Sequence, residues 1–157
     1  MPEPRVYIIT GATGSGKTRS LAEWSSNRKD VAGILTPVAE GKRVFHNAGT
    51  GEIFPMEAGT GEADVITVGR FVFSQRNFDK AAQVIRDAGR TNGWLLIDEI
   101  GPLELKGEGF CNILNELLAK RRNKILLVVR EGLVEKVKEA FGMKDTVVIN
   151  DISKLKS

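Results

Sequence analysis

Short continuous apolar runs recur along the chain. They are Val6-Tyr7-Ile8-Ile9, Gly33-Ile34-Leu35-Thr36, Trp94-Leu95-Leu96-Ile97, Ile125 to Val129 and Thr146-Val147-Val148-Ile149. Runs of this length without polar alternation belong to strands covered on both faces. Between them the spacing changes to a helical one. Phe78, Ala81, Ala82 and Ile85 stand at i, i+3, i+4 and i+7, with Ser74 placed as an N-cap and Gly89 as a stop. Phe110, Ile113, Leu114, Leu117 and Leu118 mark a second helix; Leu133, Val134, Val137, Ala140 and Phe141 mark a third. The first strand, Val6 to Thr10, is followed by a helix from about Gly16 to Ser26 that should bury Leu21 and Trp24. A second strand lies within Val31 to Pro37, which makes a right-handed parallel crossover unit.

From Val38 to Ser74 there is no helical period. Arg43 to His46, Glu52 to Phe54 and Val65 to Val68 are β-like pieces between glycine turns, and Gly69 to Ser74 reads as a continuation of the last of them. So few residues cannot support a second core. The expectation is a single domain over residues 1–157, with a β-rich insert at about 38–74 that extends the sheet edge. The fold class is α/β: a three-layer sandwich whose mostly parallel central sheet is extended by an antiparallel insert. The tail Asn150 to Ser157 reads as loosely ordered, or as a cap near the site.

Composition changes this picture little. The 157 residues are 41% hydrophobic and 27% charged, as expected of a globular chain. One cysteine, Cys111, excludes an internal disulfide and a cysteine metal cluster; in its apolar helical setting it reads as a buried small hydrophobe. The single histidine, His46, cannot build a histidine metal site alone. The net charge is +3, with one basic cluster at Lys120-Arg121-Arg122-Asn123-Lys124. That cluster reads as a solvated helix end, so nucleic acid is not expected as a partner; salt-sensitive binding would reveal one. Met1 to Arg5 carries no apolar signal region and no run approaches a membrane span, so a cytoplasmic protein without a membrane partner is expected.

Chemistry enters at Gly11-Ala12-Thr13-Gly14-Ser15-Gly16-Lys17-Thr18, which matches G-x-x-x-x-G-K-[ST] between a strand and a helix. In that context loop N–H groups and the helix N-terminus cradle a polyphosphate. Lys17 is placed to reach the β- and γ-phosphates, and the Thr18 hydroxyl to hold Mg²⁺. Trp94 to Ile97 ends in Asp98-Glu99. Asp98 falls at the carboxyl edge of a central strand, where open α/β sheets bind ligands, and is the second expected metal residue. Glu99 is suited to polarise a water near the γ-phosphate, as hydrolysis requires. Arg130, after the strand Ile125 to Val129, has two readings: an in-cis arginine on the γ-phosphate, or a surface arginine paired with Glu131 or Glu99. Arg70 and Arg76 flank the helix after the insert and read as structural or solvated, with contact to phosphate or substrate as the alternative. Gly101-Pro102 forms a rigid turn from which Glu104 buttresses the site.

Gly11 to Thr18, followed late in a short chain by Leu96-Ile97-Asp98-Glu99-Ile100-Gly101-Pro102-Leu103-Glu104, resembles the thermophile-type family of small P-loop nucleoside-triphosphatases. The insert beginning at Gly33-Ile34-Leu35-Thr36-Pro37 and the segment Phe78-Asp79-Lys80-Ala81 fit the same pattern, so the resemblance spans nearly the whole chain. It implies a RecA-like or kinase-like core and Mg²⁺-dependent hydrolysis of ATP, GTP and other nucleoside triphosphates. It also implies phosphate binding by Gly16, Lys17 and Thr18, a metal role for Asp98 and a catalytic role for Glu99. The competing reading is a nucleotide or small-molecule kinase that uses the β insert as acceptor site. Nothing in the sequence fixes the oligomeric state.

Overall fold

The computed structural model describes residues 5–11, 16–120 and 123–155. Strands β1 (Val6–Ile9), β2 (Val31–Leu35), β8 (Trp94–Ile100), β9 (Lys124–Val129) and β10 (Thr146–Ile149) are the five apolar runs. Strands β3 (Val38–Ala39), β4 (Lys42–Asn47), β5 (Ile53–Pro55), β6 (Val65–Val68) and β7 (Phe71–Ser74) lie in the insert. The helices are α1 (Lys17–Ser26), α2 (Gln75–Ala88), α3 (Pro102–Leu105), α4 (Cys111–Lys120) and α5 (Val134–Ala140).

The main sheet runs β10-β1-β9-β8-β2-β4-β3, with β5 paired to β4. The first five strands in this order are parallel, and β4 joins β2 antiparallel. The expected mostly parallel sheet with an antiparallel extension is therefore present. Side chains alternate strictly across it. On one face Ile8, Ile34, Leu95, Ile97, Ile125 and Leu127 pack with α2, α4 and α5. On the other, Ile9, Leu35, Leu96, Leu126 and Val128 pack with α1. That double covering is why the strands read as unbroken apolar runs.

β2 and β8 approach closely at Gly33, where φ is 129° and a Cβ would collide with the Leu96 carbonyl oxygen. Only glycine fits there.

The insert divides in two. β3, β4 and β5 extend the sheet as expected, but β6 and β7 pair only with each other. Gly69, with φ of 59°, reverses the chain between them, so Phe71 to Ser74 is the return strand of a hairpin and not a continuation of β6. Phe45 and Phe54 from the extension, and Ile66 and Phe73 from the hairpin, still join the main apolar cluster. Phe45 sits edge-on to Phe78 of α2 at 5.0 Å between ring centres.

Other local expectations divide likewise. Ser74 caps α2, its hydroxyl accepting from the Asn77 N–H at 3.1 Å. Leu21 is buried, whereas Trp24 is half-buried, edge-on to Trp94. Cys111 is only half-buried, because it opens the first turn of α4. Of the tail, residues 150–155 are described: Ile152–Lys154 form a 3₁₀ turn, and Ile152 and Leu155 pack on the α1 side of the sheet. Of the basic cluster, Arg121 and Arg122 lie outside the described residues. Lys124 lies over the Trp94 ring and Asn123 is buried against the Thr91 carbonyl, so this end of α4 is partly built into the fold. Among the described residues no helix is long and apolar enough to cross a membrane.

Candidate nucleotide site

Gly16 takes φ of 85° immediately before α1, and Lys17 and Thr18 are the first two residues of that helix. Their position sets them at its positive end. Gly11 ends the described part of the preceding loop. Ala12, Thr13, Gly14 and Ser15 lie outside the described residues. The Lys17 ammonium donates to the Gly11 carbonyl at 2.8 Å, so the loop's two ends are tied by the motif's own lysine.

β9 separates β1 from β8, so the glycine-loop strand and the acid-bearing strand are next but one in the sheet. Thr18 spans that gap. Its hydroxyl donates to Asp98 Oδ2 at 2.9 Å, and the Thr36 N–H at the end of β2 donates to the same oxygen at 3.2 Å. Asp98 is 1% exposed, and burial drives its carboxyl above the usual range while these two donors pull it down. Asp98 lies near the carboxyl end of β8, opposite Val128.

The strand continues to Ile100 through a bulge: Asp98 pairs with Val128 and Ile100 with Val129, which leaves Glu99 as the extra residue. A bulge re-aims a side chain. Glu99 lines a cleft of about 640 Å³ together with Gly11, Gly16, Lys17, Thr18 and Arg130.

Arg130 follows β9, which does lie beside β1, so its position at the carboxyl edge is as expected. Its guanidinium lies 3.3 Å from Glu99 Oε1. Of the two alternatives left open by the sequence, the pair with Glu99 is present; the arginine also lines the cleft that holds Lys17 and Thr18. Being half exposed, this pair adds at most about 1 kcal/mol of stability.

Glu104 is not in a simple turn. Pro102–Leu105 form a short helix, and Glu104 is 4% exposed inside it. Its two carboxyl oxygens accept from the Gly101 N–H at 2.8 Å and the Phe110 N–H at 2.9 Å. Burial raises its carboxyl to about 7 despite both donors. It clamps the turn that follows Glu99.

Two further residues carry no sequence signal of their own. Thr36 lines the cleft, and its buried hydroxyl has no partner among the described residues. Arg43, on β4, reaches the same cleft and donates to the Thr36 carbonyl. Only the pairing of β2 with β8 and β4 brings them there.

The oxygen donors present are the Thr18 hydroxyl and the Asp98 carboxylate. Among the described residues no three His, Cys, Asp or Glu side chains come together. Mg²⁺ suits such a set, since it is typically held by one or two protein oxygens, waters and substrate phosphates. The Thr36 hydroxyl, unpartnered among the described residues, and the buried Asp98 carboxyl, whose charged form burial disfavours, fit a site completed by a hydrated cation.

A glycine loop at a helix N-terminus, facing a buried acid two strands away, defines a P-loop α/β protein. A family model described as NTPase matches residues 6–155. The nucleoside-triphosphatase THEP1 of Pyrococcus abyssi is 33% identical over 142 residues, covering 83% of this chain and 76% of the relative. THEP1 of Methanopyrus kandleri is 28% identical over 120 residues, covering 69% of this chain and 64% of the relative. Among solved structures, a human cancer-related nucleoside triphosphatase superposes with a TM-score of 0.67 at 26% identity, covering 94% of this chain and 88% of that one. THEP1 of Aquifex aeolicus superposes with a TM-score of 0.68 at 21% identity, covering 92% and 88%, and shares the fold. The chain belongs to the NTPase family.

Proposed function

We propose that this protein hydrolyses nucleoside 5′-triphosphates, ATP and GTP among them, to the diphosphate and phosphate, with Mg²⁺ as cofactor. The observation that carries the reading is the Thr18–Asp98 hydrogen bond, which joins the glycine loop to the acidic strand with Glu99 beside it in the cleft. The relatives' printed activity supports it.

The residues then divide the work. The loop from Gly11 to Thr18, including Ala12 to Ser15, wraps the phosphates, and Lys17 exchanges the Gly11 carbonyl for phosphate oxygens. Thr18 and Asp98 would hold Mg²⁺, which supplies charge neutralisation on the phosphates when bound. Glu99 accepts a proton from water as the water oxygen attacks the γ-phosphorus and the bond to the β-phosphate oxygen breaks. The proton rests on Glu99, and the electron pair leaves with the diphosphate. Arg130, already beside Glu99, is placed to meet charge that develops on the γ-phosphoryl oxygens. One domain, residues 1–157, carries all of this, and no base-reading motif restricts the substrate.

Phosphate release from ATP, GTP, CTP and UTP with Mg²⁺ and no added acceptor tests the reading. Turnover is expected for all four, whereas a phosphotransferase lacking its acceptor would be nearly silent. Glu99→Gln should lower kcat by about 10²- to 10⁴-fold while nucleotide binding persists. Undiminished turnover in that variant removes Glu99 as the base.

A further inference from the structure

A second cleft, of about 610 Å³, opens beside the phosphate cleft and shares Thr36, Val38, Arg43, Glu99 and Arg130 with it. Its size lies in the range of small-molecule sites. Its walls differ in kind from those of the first. The β6–β7 hairpin contributes Phe71 and Phe73, whose rings stack at 5.8 Å and 5°. Phe71 is 44% exposed, which leaves much of an aromatic side chain uncovered. Arg70 lies against the Phe71 ring at 5.3 Å and makes no ion pair among the described residues. Arg43 faces the cleft from β4.

Three carboxylates also line it: Glu57, Glu99 and Glu104. Glu99 is paired with Arg130, and both Glu104 oxygens are occupied by backbone N–H groups. Against Glu57 alone, Arg43 and Arg70 leave a net positive rim beside an open aromatic wall, with the unpartnered Thr36 hydroxyl at the seam of the two clefts. Guanidinium and ring together match a flat ligand that carries an anionic group.

We propose that the second cleft binds a small aromatic anion, a planar ring bearing a phosphate or carboxylate. The ring rests on Phe71, which the buried Phe73 backs, and the anionic group sits on Arg43 and Arg70. The ligand faces the γ-phosphate end of the bound triphosphate, an orientation that rests on the hydrolytic reading above.

Calorimetry and amide NMR on protein saturated with Mg²⁺ and AMP-PNP test this without turnover. Phenyl phosphate, benzoate and AMP are titrated, with inorganic phosphate and benzyl alcohol as half-ligands. The aromatic anions should bind and shift the amides of Val68 to Phe73; the half-ligands should bind at least about tenfold more weakly, having lost either the ring or the charge. A preference for AMP over phenyl phosphate marks a nucleotide ligand, and parity marks aromatic phosphates in general; either supports the proposal. Arg70→Glu and Phe71→Ala, both at exposed hairpin positions, should each weaken phenyl phosphate by about tenfold. No binding of any aromatic anion, binding of inorganic phosphate as tight as that of phenyl phosphate, or amide shifts only elsewhere would overturn it. The wild-type shift map decides even if a variant fails to fold. A protein that binds phenyl phosphate here yet releases no phosphate from ATP loses the hydrolytic reading alone; active protein with an empty second cleft loses this one alone.

Discussion

The parallel half of the sheet and the antiparallel insert feed the same apolar cluster on different terms. In β1, β8 and β9 both faces are covered, and the cluster residues there are almost without solvent contact. In the insert Phe45, Phe54, Ile66 and Phe73 are anchored in the cluster, while Val38, Ile53, Phe71 and Val72 stand exposed. The parallel half places its chemistry at strand ends and helix starts, where backbone geometry fixes it. The insert places its chemistry on an open surface, where it can shape a cleft at little cost to the core.

Two glycines provide the sharpest test of that difference. Gly33, between β2 and β8, has φ of 129° and its Cβ space filled by the Leu96 backbone; Gly69, at the hairpin tip, has φ of 59° and nothing within 4 Å. Gly33→Ala should cost about 3 kcal/mol or more, because backbone cannot rotate away as a side chain can. Gly69→Ala should cost only the left-handed penalty, about 1 kcal/mol. Urea unfolding of both variants measures the gap, and equal losses would mean the two regions are equally constrained.

Glu104 sits between the two regions, clamping the turn after Glu99 and lining the insert-facing cleft. Its folded carboxyl titrates at about 7 against an ordinary 4.5. Below 4.5 both the folded and unfolded chains hold the proton. Between these values only the folded chain holds it, so stability falls as pH rises and levels off above about 7. The fall amounts to about 3 kcal/mol at most. Glu104→Gln should flatten this part of the urea midpoint against pH from 4.5 to 7.5, while losing one backbone hydrogen bond at every pH. A wild-type midpoint that rises through this window, or an unchanged slope in the variant, would show that Glu104 is ionised throughout.

The same contrast explains what could be read from residues in order. Five strands and their helices follow from period and length, because each parallel element buries its own pattern; the pairing of β9 with β1 does not, since strand order is set by packing. The Gly11 to Thr18 motif and the Asp98-Glu99 pair are each contiguous, so they stand out in the sequence as candidate site residues. The hairpin was not legible: Gly69 to Ser74 reads as a continuation of Val65 to Val68, whereas the left-handed turn at Gly69 folds it back. Thr36 and Arg43 were invisible as site residues because strand pairing, not sequence spacing, carries them to Asp98. Glu104 was placed as a buttress, but its burial depends on Phe110 folding back over it.

The smallest expected effect lies on the insert's open face. Phe71 stacks on Phe73 but is 44% exposed, whereas Phe45 on β4 is fully buried among Phe54, Phe78 and Phe110. Phe45→Ala should cost about 3–5 kcal/mol, the range for a buried aromatic. Phe71→Ala should cost only about 0.5–1 kcal/mol, the worth of one ring pair with little burial. Chemical denaturation of the two variants reads the difference directly. A loss at Phe71 as large as at Phe45 would mean that the exposed ring is a structural member of the core, and that the open face is not free to serve a ligand.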